Sequence, residues 1–405
     1  MLDRAFGMDV HKDMIVIGKL AADGSKETRR FGVSQGEIQS ALDWLKKDNC
    51  MNGVMESTGI YWVPIYTQFK EAGFNVCLAN AYQVKSVPGR KSDFKDAEWL
   101  AYLLRAELIK PSYIPDEKYE ELRTLTRLRK KLVQTETSFK NRVHKMLELC
   151  NIRLSSKISK LFGPSGMTIL DAIMSDGDMD KAIDSCSKKI RAKKDEIKQS
   201  IIGTLNQTDL FELKICLDNV KLLEDQIKQI DEKVLSKVDP VLMEKLVKLP
   251  GIAPSTAATA IAEIAEPTRF ENDKNVAGWT GLAPARYQSA GKDKKGHITK
   301  QGDVWLRSAM VQAARSAANS DSELGEFYSR IKGRRGTAVA TSALARLLLG
   351  KIWNIILTGK EYVSTYTKKT KYKLKSKMDQ QKYNPAEIAG ILNSAFVATT
   401  GTEPG

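Results

Sequence analysis

Cysteine and histidine are both scarce in this sequence. Five cysteines are scattered over 405 residues with no C-x-x-C pair, and the chain has three histidines. A disulfide framework and a zinc site both require such residues at short, repeated spacings, and neither pattern is present. We therefore expect a protein of a reducing compartment, the cytoplasm.

Long apolar runs are absent as well. No run approaches the roughly 20 residues that a membrane span needs. The opening segment MLDRAFGMDV is acidic and lacks the apolar core of a secretory signal. No repeat of the solenoid type is visible. Membrane insertion, secretion and a repeat architecture are therefore not expected.

Positive charge is what the sequence has in excess. Lysine and arginine total 64 against 49 acidic residues, which gives a formal net charge of +15. Polyanions are the natural partners of such a surface, because binding to phosphates releases their counterions. A basic enzyme with no nucleic-acid partner is the alternative. The hydrophobic content of 42% is enough for the cores of two or three domains.

Apolar patterning predicts an α/β domain over residues 1–112. Three short strand patterns come first, and helical and strand patterns then alternate, which favours a mixed sheet with helices packed on its faces. The predicted strands are RAFGMDV, MIVIGKL, KETRRFGV, NGVMES and FNVCLAN. The stretch RKSDFKDAEWLAYLLR at 90–105 predicts a helix with one apolar side, and two acids stand at the start of that side.

Helical patterns dominate the rest of the chain. Residues 113–239 are charged and helical, with a second helical region from about Met179 to Val238. A 3-4 spacing of apolar residues in that region predicts a helical hairpin or antiparallel coiled coil, with an ordinary bundle as the alternative. The seam comprises Leu217, Val220, Leu223, Ile227, Ile230 and Val234. Residues 240–360 predict a second compact, mainly helical domain, and 361–405 a basic, partly disordered tail.

Four acidic residues stand where their side chains could converge. Asp9 ends the first predicted strand and Glu56 the fourth, while Asp93 and Asp96 are three residues apart on one helix face. Such a cluster is unfavourable unless cations compensate it, and two Mg²⁺ ions about 4 Å apart would do so. Each acid alone is better explained by capping, the helix dipole or an ion pair. Taken together, a strand-end Asp, a strand-end Glu and a helical D-x-x-D are the arrangement of an RNase H-like nuclease.

Two further motifs point to phosphate. The segment LPGIAPSTAATAIAEI contains a Gly-x-x-Pro turn at Gly251, as in a helix-hairpin-helix that binds phosphate through backbone N–H groups, or in a plain αα corner. Ser289 follows in a basic loop. Such a serine contacts phosphate far more often than it acts as a nucleophile, and no His-Asp partner is apparent. The loop's basic residues are Arg286, Lys292, Lys294, Lys295 and Lys300.

The order of these motifs resembles one family closely. The segments are GMDVHK, MESTGIYW, KSDFKDA, LPGIAP and GLAPARYQSAGK, followed by GHITKQGD and a Leu-Arg pair. They are similar to those of the DEDD transposases of insertion-sequence family 110 and its 1111 relatives. The resemblance covers both ends of the chain, and the long helices between them agree in placement.

This resemblance implies a bacterial or archaeal recombinase with an RNase H-like (RuvC-like) N-terminal domain, a coiled-coil insertion and a C-terminal transposase domain. It implies that one or two Mg²⁺ ions are bound by Asp9, Glu56, Asp93 and Asp96. Ser289 would attack the DNA backbone and form a covalent phosphoserine intermediate, a role that its local surroundings alone do not indicate. A structured noncoding RNA of the element, the bridge RNA, would pair with donor and target DNA.

The sequence departs from the family at one position, and two alternative functions stay open. Ala290 departs from the family, in which Gly often follows this serine, and this bears on how Ser289 is aimed. Because recombination joins several DNA ends, we expect a dimer or tetramer. The alternatives are a Mg²⁺-dependent, structure-selective nuclease of the Holliday-junction resolvase type that uses water, and a non-catalytic RNA-binding scaffold. The expected nucleic-acid contacts are Arg90, Lys91, Gly251, Arg286, Lys292, Lys294, Lys295, Lys300 and Arg307.

Overall fold

The computed structural model describes residues 2–56, 59–80, 84, 96–186, 194–289 and 292–363, with the backbone alone for 286–289 and 292–295. Its contacts divide the chain into two compact units, Met1–Ile114 and Pro115–Gly405. Each unit has its own hydrophobic cores. Most of the predicted basic tail, from residue 364 onward, lies outside the described residues. The four predicted segments therefore stay a prediction.

The first unit is built on a five-stranded mixed sheet. Its strands are β1 (Arg4–Val10), β2 (Met14–Ala21), β3 (Lys26–Gly32), β4 (Asn52–Glu56) and β5 (Asn75–Ala79), and its helices are α1 (Gln35–Lys47), α2 (Trp62–Glu71) and α3 (Asp96–Arg105). The first three strands form an antiparallel meander, and β4 and β5 run parallel to β1, in the order β3-β2-β1-β4-β5. The predicted mixed α/β sheet is confirmed, whereas its RNase H-like identity stays a prediction.

Alternate positions of β1 serve different layers of this unit. Phe6 and Met8 are fully buried on one face, where the rings of Phe69 and Phe74 lie 6.0 and 5.8 Å from the ring of Phe6. Helices α1 and α2 cover this face, and α3 packs on the other. The remaining positions of β1, which include Asp9, therefore belong to the face that α3 covers.

Two long antiparallel helices begin the second unit. The helices described in the first part of this unit are α4 (Glu117–Leu149), α5 (Pro164–Met174), α6 (Met179–Asp184), α7 (Lys194–Gln199) and α8 (Gln207–Leu235). Ion pairs join Arg129 on α4 to Asp231 on α8, and Lys140 to Glu224, so that α4 and α8 run in opposite directions. They therefore form a hairpin, and coiled-coil packing stays a prediction. The buried members of the predicted seam are Leu217, Val220, Leu223 and Val234.

The region from Met179 to Val238 is not one helix. Helices α5 to α7 pack with the far end of the hairpin around a separate core. Gly203 lies so close to the chain that a Cβ there would come within 1.6 Å of the Cys150 carbonyl oxygen. Helix α8 begins only at Gln207, and the side chain of the preceding residue, Asn206, caps its first turn. The periodicity and the cap of α8 are local, whereas the segment before it also packs on a residue far away in the chain.

The rest of the second unit is mainly helical, as predicted. Its helices are α9 (Pro240–Val247), α10 (Pro254–Ile264), α11 (Asp273–Trp279), α12 (Val304–Ala317), α13 (Glu323–Arg335) and α14 (Thr337–Thr358), and its strands are β6 (Pro284–Ser289) and β7 (Lys292–Ile298). By length and composition α14 could cross a membrane, although Arg346 and Lys351 interrupt its apolar sequence. Half of its most apolar stretch is buried, and Leu344 and Leu348 are fully buried among α10 and α12. Helix α14 is therefore a core helix of this unit.

A buried ion-pair network fastens α10 to the base of α4. Glu263 is fully buried, and its two carboxylate oxygens accept hydrogen bonds from Nε and Nη2 of Arg127, each at 2.8 Å. Nε of Arg123 lies 3.3 Å from the same carboxylate and also donates to the Ala262 carbonyl at 3.0 Å. Burial raises the pKa of Glu263, which the hydrogen bonds from Arg127 oppose. Burial also lowers the pKa of Arg127, but the bonded carboxylate raises it and prevails.

Removing the Glu263 charge should destabilise the second unit. Glu263→Gln leaves two guanidinium groups facing a neutral amide, and breaking a buried pair in this way costs about 3 kcal/mol. Urea unfolding of the full chain, followed by hydrogen exchange of the α4 and α10 peptides, measures the loss. Glu121→Gln is the matched control, because Glu121 pairs with Lys237 at the surface and should change stability by less than about 1 kcal/mol. Equal losses in the two variants would contradict a structural role for the Glu263 network.

Candidate active site

Asp9 and Glu56 stand at the ends of neighbouring parallel strands. The last pair joining β1 to β4 is Met8 with Met55, and each acid follows its strand's pair by one residue. The register therefore places the two residues side by side, on neighbouring strands, at the carboxyl edge of the sheet. Both residues are partly exposed. His11 is half exposed, and its Nε2 lies 3.2 Å from the Asp9 carboxylate. His11 belongs to the motif GMDVHK, but the sequence pattern alone does not indicate that it pairs with Asp9.

A pair of glycines lets α3 lie directly on the sheet. Gly7 of β1 is paired with Gly18 of β2. A Cβ on Gly7 would come within 2.1 Å of the Ala97 carbonyl oxygen, and one on Gly18 within 2.8 Å of the Glu98 backbone nitrogen. Real Cβ atoms do not approach backbone so closely, so only glycine is compatible with this contact.

The direction of α3 aims its first residue at the acidic edge. Its last residue, Arg105, donates from Nε to the carbonyl of Leu2, just before β1, at 3.1 Å. Its first turn lies over Gly7, further along the same strand. Asp96, the exposed first residue of α3, is therefore at the end of the helix that points toward the carboxyl end of β1, where Asp9 stands.

A second acid in the first turn of α3 is structural. Glu98 is buried and accepts a hydrogen bond from the Thr28 hydroxyl at 2.5 Å, and its other oxygen lies 3.2 Å from Lys26 Nζ. These bonds tie the start of α3 to β3. Most of α3 is buried, and Glu98 lies on a different side of the helix from Leu100, so its contacts with β3 distinguish its role from that of Asp96.

The candidate metal ligands are only partly within the described structure. Asp93 lies outside the described residues, as do Arg90 and Lys91. Among residues that are described, no three Asp, Glu, His or Cys side chains are grouped to hold a metal ion. The neighbouring carboxylates of Asp9 and Glu56 offer the oxygen ligands that Mg²⁺ prefers, so the donor chemistry fits that ion. A four-carboxylate site stays a prediction.

Ser289 lies at the end of a basic β-hairpin in the second unit. It is the last residue of β6 and is paired with Lys292, the first residue of β7. The register also pairs Tyr287 with Lys294 and Arg286 with Lys295. Positions 287, 289, 292 and 294 therefore share one face of the hairpin. The connection between the strands, which contains Ala290, is outside the described residues.

The other residues of this unit that we expect to contact nucleic acid also form contacts within the unit. Gly251 has a positive φ of 85°, and a Cβ there would come within 2.5 Å of the Ala313 carbonyl oxygen, so the turn packs closely on α12. Arg307 donates from Nη1 to the carbonyl of Thr280 at 2.9 Å. The backbone N–H of Lys300 donates to the carbonyl of residue 281 at 3.1 Å. Their contact with nucleic acid stays a prediction.

Comparison with known proteins assigns the class. Two family models match, one described as a transposase of the DEDD type of IS110 over residues 6–152, and one as the transposase IS116/IS110/IS902 family over residues 243–329. Together they cover more than half of the chain. The protein is therefore a transposase, and hence a DNA-processing enzyme.

Similarity to individual proteins extends over most of the chain. A probable family 20 transposase of Pseudomonas aeruginosa is 25% identical over 75% of this chain and 82% of its own length. The transposase for insertion sequence element IS1111A of Coxiella burnetii is 22% identical over 89% of this chain and 91% of its own. The chain belongs to the IS110/IS1111 family of insertion-sequence transposases, as its motifs indicated.

Adding a methyl group at the sheet should displace α3. Gly7→Ala forces the Cβ against the Ala97 carbonyl, and relieving such overpacking costs about 1–3 kcal/mol or more. Hydrogen exchange should become faster in the peptides of α3 and β1, and DNA cleavage should fall because Asp96 moves. Gly36→Ala is the control, since a Cβ at this α1 position meets nothing within 4 Å. If Gly7→Ala behaves like Gly36→Ala, the glycine pair does not set the position of α3.

Proposed function

We propose that this transposase is a recombinase that cleaves and rejoins donor and target DNA under the guidance of a structured noncoding RNA. In this proposal a serine attacks the DNA and carboxylates hold one or two Mg²⁺ ions near the scissile phosphate. The nucleophile is Ser289. The metal ligands are Asp9, Glu56, Asp93 and Asp96.

The observation that supports the proposal is the adjacency of Asp9 and Glu56 at one edge of the sheet. Two carboxylates at neighbouring strand ends, with the start of α3 directed to the same edge, form a negative site in a chain of net charge +15. Such a site repels DNA phosphates unless cations are bound. Divalent ions both remove this repulsion and stabilise the charge that develops on a phosphate during transfer.

The proposed serine reaction conserves the free energy of the broken phosphodiester bond in a covalent intermediate. The Ser289 oxygen forms a bond to phosphorus, the bond from phosphorus to a deoxyribose oxygen breaks, and that oxygen leaves with a proton. The covalent phosphoserine keeps a phosphodiester, so a hydroxyl of another DNA end can attack it and reverse the chemistry with a new partner. The basic positions around Ser289 on the hairpin would bind the phosphate during both steps.

The guidance by RNA agrees with the composition. Base pairing of a guide supplies the choice of sequence, and the protein then needs only to hold backbones, for which a basic surface suffices. We propose a dimer or tetramer that works in the cytoplasm, because a recombination event brings several DNA ends together. The serine lies in the second unit of the chain and the described carboxylates lie in the first.

Removing a strand-end carboxylate should abolish metal-dependent cleavage. We expect Asp9→Asn and Glu56→Gln each to lower the rate of cleavage at saturating Mg²⁺ by at least about 100-fold. Replacing a residue that only hydrogen-bonds a metal ligand already lowers metal affinity or activity by about 10 to 100-fold, so the loss of a ligand itself should cost at least as much. EDTA should stop the wild-type reaction, and Mn²⁺ titration by calorimetry should show weaker binding in both variants.

Asp13→Asn is the matched control, since Asp13 is an exposed acid in the turn that follows β1. Its cleavage rate and Mn²⁺ affinity should equal those of the wild type. Recombination that persists in the Asp9→Asn, Glu56→Gln double variant would exclude metal catalysis at this edge and favour a non-catalytic RNA-binding scaffold.

Replacing the proposed nucleophile should prevent a covalent adduct. A DNA substrate with a nick beside the cleavage site traps the phosphoserine, which is seen as a slower band after denaturing electrophoresis. We expect the adduct in the wild type and none in Ser289→Ala, because no other oxygen replaces the hydroxyl. The exposed Ser236→Ala serves as control and should retain the adduct. Cleavage by Ser289→Ala at the wild-type rate without an adduct would favour a nuclease that uses water.

A further inference from the structure

A narrow basic cleft lies between α4, α10 and α12 in the second unit. Its volume is about 70 Å³, which admits a phosphate group but not a nucleoside. The side chains that matter for its chemistry are Arg127, Lys130, Ser255, Thr256, Trp305 and Gln312. The cleft lies beside two sequence motifs, because LPGIAP leads into Ser255 and Thr256 and the segment GHITKQGD leads into Trp305.

Lys130 gives the cleft a positive charge that no described acidic residue pairs with. Of the other cations at the cleft, Arg127 is bonded to Glu263 and lies 4.0 Å from Asp303, and Arg129 is paired with Asp231. Among the residues that the structure describes, none of those lining the cleft is acidic. One edge of the Arg127 guanidinium is occupied by buried Glu263, which leaves Nη1 without a hydrogen-bond partner among the described residues. Lys130 forms no ion pair or hydrogen bond with any residue in the described ranges. The ligand that such a cleft attracts is an anion.

The walls of the cleft are held in place before any ligand arrives. Glu263 fastens Arg127 to α10, and Asp303 caps α12 by accepting a hydrogen bond from the Leu306 N–H at 2.6 Å. Trp305 lies beneath two cations, with the Arg127 guanidinium 5.7 Å and the Lys131 ammonium 5.6 Å from its ring. These contacts restrict rotamers, so little further ordering is needed to bind an anion.

We propose that this cleft binds a backbone phosphate of a nucleic-acid strand, with Lys130 and Nη1 of Arg127 as the charged donors and the hydroxyls of Ser255 and Thr256 as neutral ones. The inference rests on the proposed function, because it takes the nucleic acid of recombination as the ligand. Its size excludes a base or a free nucleotide, so the contact carries no sequence information. DNA and RNA backbones offer the same phosphate chemistry.

The test compares Lys130→Gln with the wild type in full-length protein. Binding of a 30-base-pair duplex of arbitrary sequence and of a single-stranded RNA is measured at several NaCl concentrations. Each lost phosphate contact lowers the slope of log affinity against log salt by about 0.9 for duplex DNA and about 0.7 for a single strand. We expect a reduction of that size for at least one probe, and an equal reduction in Thr256→Asp, which adds a negative charge to the cleft.

Lys145→Gln is the matched control, because Lys145 is exposed on the same helix about 22 Å further along. Its slopes should equal those of the wild type apart from a small long-range effect. A change with the duplex alone identifies the phosphate as that of DNA, and a change with the single strand alone as that of RNA. Unchanged slopes for both probes overturn the proposal. In that case an intact Ser289 adduct shows that the proposed recombinase activity still stands.

Discussion

The close contact of α3 with the sheet is the constraint on which the candidate active site depends. Gly7 and Gly18 are paired across β1 and β2, and their lack of side chains lets the helix backbone rest on the strands. This contact sets how closely α3 packs on the sheet. The hydrogen bond from Arg105 to the carbonyl of Leu2, just before β1, sets the direction of the helix. Asp96 is consequently held at the end that points toward Asp9. A site assembled from separate segments needs such a rigid support, because small displacements of a ligand weaken metal binding and phosphate transfer.

The second unit uses a buried charge for a comparable purpose. Glu263 would be costly in a core, but Arg123 and Arg127 compensate it and thereby connect α10 to the base of the long hairpin. Buried ion pairs add little net stability compared with apolar packing, yet their geometry is specific. Here that geometry presents Arg127 and its neighbour Lys130 to solvent on one side of the helices. Arg127 therefore both holds α10 against α4 and lines the basic cleft.

The sequence predicts which residues belong to the candidate site, but it does not predict how those residues are arranged in space. Asp9 and Glu56 were recognisable because each stands near the end of a short, largely apolar strand, and the register of β1 and β4 brings them together. Glu98 is separated from Asp96 by one residue, and the pattern did not indicate that it is buried against Thr28 and β3. The break before α8 was missed for a similar reason. In the segment before α8, Gly203 packs on Cys150, a contact between residues far apart in the chain.

Local sequence patterns predict most of the helices and strands, and the order of the motifs identifies the family. Strand and helix patterns depend on neighbours within a few residues, and the ordered motifs from GMDVHK to GHITKQGD identified an insertion-sequence transposase. Which charged residues contact one another depends on the packing of the folded chain. It set Asp9 beside Glu56, buried Glu263 between two arginines and left Lys130 in an open cleft without an acid. Charge compensation is a property of groups brought close in space, and local periodicity carries no information about those distances.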